Sequence, residues 1–378
     1  MDLDLTDEQQ MLREMVRGVC SSYAPLETVR AMEDDPTGYP NELWKQLAEL
    51  DLIGLTIPVD YGGSGMSAVE GAVVYEELGR ALAPSPHFVS AVMAAGVILR
   101  GGSEEQKQTW LPRIASGGTI VSTAWIEPGH GFGPDGVQLR ARPDGDELVL
   151  DGVKWHVPFA SAATYLLVLG RTADGVELFL VDTAAEGVTL TQQLTIGSDT
   201  QYQVELSGAR VPVTNRIGAA GSGWETWHDA MLDGITLLAA QAIGGAQYAL
   251  DITVQYAKDR HQFDKPLGAF QALAHYLADA STAVDGGTVL VYETAWARAN
   301  GRSVDRLAPM AKLFACQTFR DVTAMGQQIF GGVGFTLEYD IQLYFRRAKQ
   351  LQISWWNDRY LEELIAADTL DRPDGRSA

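Results

Sequence analysis

The chain has 378 residues, enough for two or three domains, and its 46% apolar content supports a substantial core. It carries 28 Lys and Arg against 49 Asp and Glu, a formal net charge of −21. This acidity argues against nucleic-acid binding, which needs clustered basic residues, and against electrostatic docking on an anionic membrane.

Targeting and redox signals are sparse. The start of the chain, MDLDLTDEQQ, is acidic and lacks the apolar core of a signal peptide, and no apolar run reaches about 18 residues. We therefore expect a cytoplasmic protein without a transmembrane helix. Cys20 and Cys316 are far apart and form no CxxC pair, so we expect two core thiols, with neither a disulfide framework nor a metal site.

The first third of the sequence predicts helices. Thr6 with Gln9, and Ser103 with Gln106, have the spacing of capping boxes, in which two side chains satisfy backbone donors at a helix start. Apolar residues recur after each box at the helical period. We predict a helical domain over residues 1–117.

The period changes near Gly117. Short segments rich in Val, Leu and Tyr follow, and Asp144-Gly145 and Asp174-Gly175 separate some of them, as hairpin turns do. The pattern predicts a small antiparallel β domain over residues 118–222.

From Trp224 the helical period returns, and it predicts a C-terminal four-helix bundle over residues 223–370, followed by a frayed tail at 371–378. The predicted fold class is α+β. The four expected helical segments are approximately 224–259, 268–300, 304–329 and 339–367.

Four sequence segments carry a resemblance to a known family. They are IPVDYGGSGMS (57–67) followed by VVYEELGR (73–80), WIEPGHG (125–131), RHQFDKPLGAFQ (260–271) and QIFGGVGF (328–335). In this order, with helical, β and helical domains, the chain resembles the acyl-CoA dehydrogenase family over nearly its whole length. The two C-terminal segments are the specific ones, because a lone YGG is common.

The resemblance implies a reaction. A carboxylate removes the α proton of an acyl-CoA thioester, FAD accepts a hydride from the β carbon, and electrons pass to an electron-transfer flavoprotein. The base must contact the α carbon in a dry pocket, and the carbonyl oxygen needs hydrogen-bond donors as enolate charge develops.

The resemblance also implies that each FAD lies across a subunit interface, with one subunit supplying the contacts to its pyrophosphate and adenosine. The guanidinium of Arg260 suits paired phosphates, and glycines allow close backbone approach. Asp264 departs from the usual glycine and adds a carboxylate near the phosphates. The residues that match the family's dinucleotide contacts are Arg260, Gln262, Phe263, Gln271, Gln328, Gly331 and Gly332.

The matching catalytic residues are missing. The family's Tyr-Glu-Gly-Thr run, which contains the base, reads Ser354-Trp355-Trp356-Asn357 here, and an indole is not a base. Some members carry the base on an earlier helix, and that position is Gly234. Asp233 is adjacent, but one residue rotates a helical side chain by about 100°.

The flavin-facing positions of the β domain also depart from the family. The threonine that donates to the flavin is Ile126, and the serine of the acyl-CoA cleft is Phe132. The Trp-Ile-Thr run packed against the flavin begins at His156 and ends at Pro158, which has neither a hydroxyl nor an N–H donor. We expect His156 to be a hydrogen-bonded structural residue.

The preferred interpretation is a non-catalytic subunit of an α2β2 acyl-CoA dehydrogenase, whose homologous catalytic partner binds the isoalloxazine and carries the glutamate. Such paired subunits occur among actinobacterial steroid-degrading members, so a steroid side-chain thioester is the expected substrate. One alternative is an active homotetramer with Asp233 or His156 as the base. The other is a flavin-free scaffold or binding protein.

Overall fold

The computed structural model describes residues 4–197 and 199–371, so the expected tail lies outside the described residues from 372 onward. The chain divides into two compact units. The bundle unit combines the chain up to Glu27, Ser67–Ala83 and the chain from Ile235 onward, and the sheet unit contains Thr28–Met66 and Pro84–Gly234.

Helices dominate both ends of the sequence. In chain order they are α1 Asp7–Tyr23, α2 Leu26–Ala31, α3 Asn41–Glu49, α4 Ala68–Arg80, α5 Ala95–Gly101, α6 Glu104–Ala115, α7 Gly223–Asp259, α8 Gln271–Ala299, α9 Leu307–Phe330, α10 Ile341–Ile353 and α11 Asp358–Ala366. A π-helical stretch, Phe88–Ala94, precedes α5.

Strands lie between α6 and α7, with one small hairpin after α7. They are β1 Val121–Ala124, β2 Arg140–Asp144, β3 Glu147–Pro158, β4 Tyr165–Thr172, β5 Gly175–Asp182, β6 Val188–Gln193, β7 Gln201–Pro212, β8 Arg216–Ile217, β9 His261–Gln262 and β10 Lys265–Pro266.

Both expected capping boxes are confirmed. The Thr6 hydroxyl accepts from the Gln9 N–H at 3.2 Å, and the Gln9 side chain accepts from the Thr6 N–H at 3.1 Å. Ser103 and Gln106 form the same reciprocal pair at the start of α6. Each box satisfies donors that the helix start would otherwise leave unpaired.

The strands of the sheet unit form one sheet in the order β6-β7-β3-β2-β4-β5-β8, and β1 pairs with β4 in parallel. Both predicted hairpins are confirmed, because β2 turns into β3 after Asp144 and β4 turns into β5 before Gly175. The side chains of β4 from Leu166 to Leu169 are fully buried. The long β3–β7 pair contains His156 and Pro158, two of the candidate site positions.

In the bundle unit, α4 and α7 cross closely. A Cβ added at Gly79 would lie 1.9 Å from the Gln241 carbonyl oxygen, and one at Gly244 would lie 1.8 Å from the Glu76 carbonyl oxygen. Only glycine permits this approach. Both cysteines are buried as expected, at 2% exposure for Cys20 and 0% for Cys316.

The expectation of four unbroken bundle helices is wrong at its last member. Helices α7, α8 and α9 follow the first three expected segments, but the fourth is split into α10 and α11 by residues 354–357. Trp355 and Trp356 have φ of +54° and +71°, and positive φ cannot continue a right-handed helix. Of the helices in the described residues, none has the length and apolar character that a membrane span requires.

Candidate active site

Arg260 lies at the end of α7, where the chain enters the β9–β10 hairpin. Its N–H donates to the Tyr256 carbonyl at 2.9 Å, and its own carbonyl accepts from the Leu267 N–H at 2.8 Å. Its backbone is therefore held on both sides, while its side chain is exposed. An anchored, exposed guanidinium is suited to bidentate recognition of phosphates.

The hairpin turn presents Phe263 to solvent. Gln262 pairs with Lys265, so Phe263 and Asp264 form a two-residue turn, with φ of +52° and +63°. Two positive φ values are typical of a type I′ hairpin turn. Phe263 is 85% exposed, and its ring meets Phe270 edge-on at a centroid distance of 6.1 Å.

Gln271 begins α8 and is exposed. No side chain caps this 29-residue helix, since its N-cap residue is Phe270. First-turn N–H groups and the helix dipole both favour an anion at this end. The start of α8 therefore complements Arg260 as a place for phosphate groups.

The second dinucleotide segment lies at the end of α9. Gln328 is exposed, and Gly331 has φ +67° and ψ −141°, a conformation open only to glycine. A Cβ at Gly331 or Gly332 would meet nothing within 4 Å, so the surface there is open. Tyr256 and Phe330 stack at 4.1 Å and join this segment to the end of α7.

These exposed groups fit the phosphates and the adenosine of a dinucleotide. The structure holds the ends of α7 and α9 together and leaves the side chains of the predicted set accessible. Within the segment 260–271, Asp264 is the one acidic residue, and its side chain is exposed in the turn.

The base segment of the bundle unit is closed. Trp355 is 9% exposed and Trp356 is 0% exposed, and the Trp356 ring packs on Tyr360 at 5.4 Å. Neither indole is a proton acceptor. A general base is therefore absent from the two central positions of the run, and the space is filled by aromatic rings.

Two further residues hold this segment in place. The fully buried Lys312 donates from Nζ to the Leu351 carbonyl at 2.8 Å and the Ser354 carbonyl at 3.3 Å, at the end of α10. Asn357 accepts the Tyr360 N–H at 3.1 Å and so caps α11. Sequence reasoning missed both residues, although Asn is a recognised N-cap type.

The earlier base position is closed as well. A Cβ at Gly234 would lie 2.6 Å from Met93 Sδ and 3.2 Å from the Phe88 ring, so a longer side chain has no room without repacking. The neighbouring Asp233 is ion-paired with Arg100 at 2.5 Å. That pair holds one carboxylate oxygen of Asp233 against the Arg100 guanidinium.

His156 lies in a β-bulge of β3, where the register against β7 shifts between Lys154 and Val157. Its φ is +54°, its side chain is exposed, and its Nδ1 lies 2.7 Å from Gln201 Oε1. Gln201 donates its amide to Asp199, which leaves Oε1 as an acceptor. Nδ1 therefore carries the proton, and Nε2 is the ring nitrogen able to accept one.

The remaining flavin-facing positions of the sheet unit are apolar. Ile126 and Phe132 are half-buried, and Phe132 packs against Trp125 at 5.8 Å, which in turn packs against Trp227 at 5.5 Å. Pro158 offers no N–H. The side chains of Ile126, Phe132 and Pro158 carry no hydrogen-bond donor, so they do not fit the role of donors to an isoalloxazine.

A buried ion pair supports the same edge. Lys154 is fully buried and donates to Glu127 at 2.6 Å, and Glu127 also accepts the N–H groups of Gln138 and Leu139 at 2.9 Å each. Burial lowers the pKa of Lys154 to about 8, and Glu127 opposes that shift. The pair fixes the strand immediately before the His156 bulge.

Three family models together match almost the whole chain. The acyl-CoA dehydrogenase N-terminal domain matches residues 6–118, the middle domain matches 122–211 and the C-terminal domain matches 221–368. The chain belongs to the acyl-CoA dehydrogenase family. It has the fold of that family, whose members are FAD-dependent oxidoreductases.

Individual relatives align with nearly the whole of this chain. The probable acyl-CoA dehydrogenase YngJ of Bacillus subtilis (strain 168) is 34% identical, over 98% of this chain and 100% of its own. The ChsE4-ChsE5 complex from Mycobacterium tuberculosis is similar at a TM-score of 0.90 and 28% identity, covering 99% of this chain and 100% of that chain. A structure described as the steroid ACAD Tcur3481-Tcur3483 gives 0.86 and 31%, covering 96% and 99%.

Proposed function

We propose that this chain is a non-catalytic subunit of a hetero-oligomeric acyl-CoA dehydrogenase. One observation carries the proposal: the catalytic run is filled by the buried Trp355 and Trp356, whereas Arg260 and its neighbours remain exposed. A chain that functioned alone would need both halves of the site. A chain that completes a partner's site needs only the exposed half.

In the proposed complex, the homologous partner binds the isoalloxazine and carries the glutamate base. The flavin supplies the hydride acceptor for α,β-dehydrogenation of an acyl-CoA thioester to a 2-enoyl-CoA. This chain contributes Arg260 and the start of α8 to the pyrophosphate, and the Gln328–Gly332 segment to the adenosine. Gln262, Phe263 and Gln271 complete the contact surface.

The relatives support a two-chain assembly and a bulky substrate. The ChsE4-ChsE5 structure contains two named proteins, and the Tcur3481-Tcur3483 structure is described as a steroid ACAD. By analogy we propose an α2β2 arrangement with two FAD sites and a steroid-type acyl-CoA as substrate. An electron-transfer flavoprotein is the proposed acceptor, and one relative, from Acetobacterium woodii, is named as a subunit of a Caffeyl-CoA reductase-Etf complex.

An active homotetramer is the second candidate. The observation that favours it is His156, whose Nε2 is the proton-accepting nitrogen of an exposed ring. Asp233 is the second choice because an ion pair with Arg100 already engages its carboxylate. A flavin-free scaffold is the third candidate, and the accessible Arg260 and glycine segment count against it.

The test compares the chain purified alone with the chain co-expressed with a homologous acyl-CoA dehydrogenase from its own genome. FAD content and acyl-CoA-dependent reduction of a dye are measured in both. We expect a colourless, inactive chain and a yellow, active complex with one FAD per heterodimer. Stoichiometric FAD and turnover by the chain alone would overturn the proposal, and loss of that turnover in His156→Ala would establish the second candidate.

A further inference from the structure

A groove of about 270 Å³ lies in the bundle unit, between the ends of α1 and α4 and the side chains of α7 and α10. Its walls are well anchored, because Cys20 and Tyr344 are buried and Tyr344 donates its hydroxyl to the Arg80 carbonyl at 2.6 Å. The rings of Tyr248 and Tyr344 lie 5.1 Å apart at an angle of 31°. A concave site with aromatic walls suits the apolar part of a small molecule.

The thiol and the phenol that line the groove are both uncharged. Burial, together with the Glu77 carboxylate, raises the pKa of the Cys20 thiol to about 12, so Cys20 is an apolar wall and not a nucleophile. Burial also raises the pKa of Tyr248, which keeps its phenol protonated. The Tyr248 hydroxyl has no hydrogen-bond partner within the described residues, so it is available as a donor.

Two guanidinium groups also line the groove, those of Arg17 and Arg80. Arg17 donates from Nε and Nη2 to Glu77 at 2.8 and 2.7 Å, and these two bonds engage both carboxylate oxygens. Arg80 Nη2 lies 2.9 Å from Asp251, and the same guanidinium lies over the Tyr248 ring at 5.1 Å. In the part of the chain that the structure describes, the remaining guanidinium N–H groups of Arg17 and Arg80 have no acceptor.

The charge of the groove differs in sign from that of the chain. Two guanidinium groups and one carboxylate, that of Glu77, are among its lining residues, a net charge of +1, whereas the whole chain has −21. The side-chain groups left available at Arg17, Arg80 and Tyr248 are all hydrogen-bond donors. A ligand that matches them carries one negative charge and hydrogen-bond acceptors on an apolar body.

We propose that this groove is a binding site for a small aromatic monocarboxylate. Arg17 and Arg80 bind its carboxylate through charge-assisted hydrogen bonds, and the Tyr248 and Tyr344 rings contact its ring. The volume is just below the range of about 300–1,000 Å³ that is usual for sites of drug-sized ligands, so the apolar body is small. The site lies within one chain, and its ligand binds without covalent chemistry.

The first test compares two probes of the same shape. 3-Phenylpropanoate carries the carboxylate, and 3-phenylpropanamide replaces it with a neutral amide. Isothermal titration calorimetry of the full chain at constant ionic strength measures both affinities and needs no partner subunit. We expect one site per chain and binding of the acid at least about tenfold tighter than that of the amide. Absence of binding, or equal affinity for the two probes, would overturn the proposal.

The second test uses two variants with opposite expected effects. Arg80→Met removes the guanidinium and leaves no buried charge unpaired, because the Asp251 side chain is 42% exposed. It should weaken binding of 3-phenylpropanoate by about tenfold. Asp251→Asn removes the competing carboxylate from Arg80 and should tighten binding by about two- to fivefold. A merely structural role for the pair would shift both affinities in the same direction, and that result would contradict the proposal.

The third test locates the probe. Ser21 lines the groove and Ser22 does not, and both are exposed on α1. Ser21→Trp fills the groove with an indole and should abolish binding, whereas Ser22→Trp, the matched control, should bind as wild type does. Thermal unfolding of each variant checks that it folds. Binding retained in Ser21→Trp would place the probe elsewhere and overturn the proposal, while the proposed non-catalytic subunit would be unaffected.

Discussion

Two turns in the bundle unit have the same unusual backbone conformation, but their aromatic side chains differ in exposure. Phe263-Asp264 and Trp355-Trp356 are both consecutive non-glycine pairs with positive φ, a conformation that costs about 1–2 kcal/mol per residue. Phe263 is 85% exposed, whereas Trp356 is fully buried. The first turn presents its aromatic side chain to solvent, and the second places its aromatic side chains in the core.

The largest expected effect on stability comes from removing the indole of Trp356. Trp356→Ala should lower the free energy of unfolding by about 3–5 kcal/mol, because it leaves a cavity where an indole was fully buried. Phe263→Ala, the matched change in the exposed turn, should stay within about 0.5 kcal/mol. Denaturant unfolding measures both, and equal losses would remove the contrast between the turns.

The second prediction concerns the buried pair beneath the flavin-facing edge. The pKa of Lys154 is lower in the folded chain, about 8, than its ordinary value of 10.5. Between these pH values the unfolded chain binds more protons, so the pair's contribution to stability rises with pH, by on the order of 3 kcal/mol.

The reference for this prediction is Glu127→Gln/Lys154→Met, which removes both charges. The difference in unfolding free energy between wild type and this variant should grow from pH 8 to 10.5. A difference that stays constant, or shrinks, over that window would contradict the assignment of a strongly desolvated ammonium.

A smaller loss of stability is expected from removing Lys312, which donates hydrogen bonds to the segment just before the Trp355-Trp356 turn. Lys312→Met removes the donor to the Leu351 and Ser354 carbonyls and should cost about 1–3 kcal/mol. Lys349→Met is the control, because Lys349 is exposed and bonds only the Gln352 side chain among the contacts described. If the two variants unfold alike, Lys312 does not hold the turn.

The smallest predicted effect lies in the exposed turn. Asp264→Asn removes a carboxylate near the proposed phosphate site and keeps a residue type that tolerates positive φ. FAD should bind the complex about two- to fivefold more tightly, as expected for an exposed charge. Titration with FAD measures the affinity, and Asp60→Asn, which removes another exposed carboxylate, is the control. Weaker binding in Asp264→Asn would show that the Asp264 carboxylate favours FAD binding.

Much of the fold follows from local sequence signals. Thr6 with Gln9 begins a helix, and Asp144-Gly145 turns a hairpin, because each depends on hydrogen bonds within a few residues. The break at residues 354–357 does not follow in this way. The helical apolar period continues through Trp356, and the positive φ values depend on burial of both indoles and on the distant Lys312.

In the candidate site, too, some features can be predicted from the sequence and others depend on tertiary packing. Residue types alone show an indole at Trp355 and a guanidinium at Arg260, the positions that the resemblance assigns to the base and to the phosphate contact. The steric closure around Gly234 and the Asp233–Arg100 pair arise from tertiary packing, since Met93 and Arg100 are more than a hundred positions away in sequence. A single sequence contains no local signal for such contacts.

We propose that Arg260 of this chain binds the FAD held by a partner subunit. The most direct test is the FAD dissociation constant of the co-purified complex carrying Arg260→Ala, with the exposed Arg359→Ala as control. Loss of charge-assisted phosphate contacts should weaken FAD by about ten- to hundredfold, and the control should match wild type. Unchanged FAD affinity in Arg260→Ala would contradict the account.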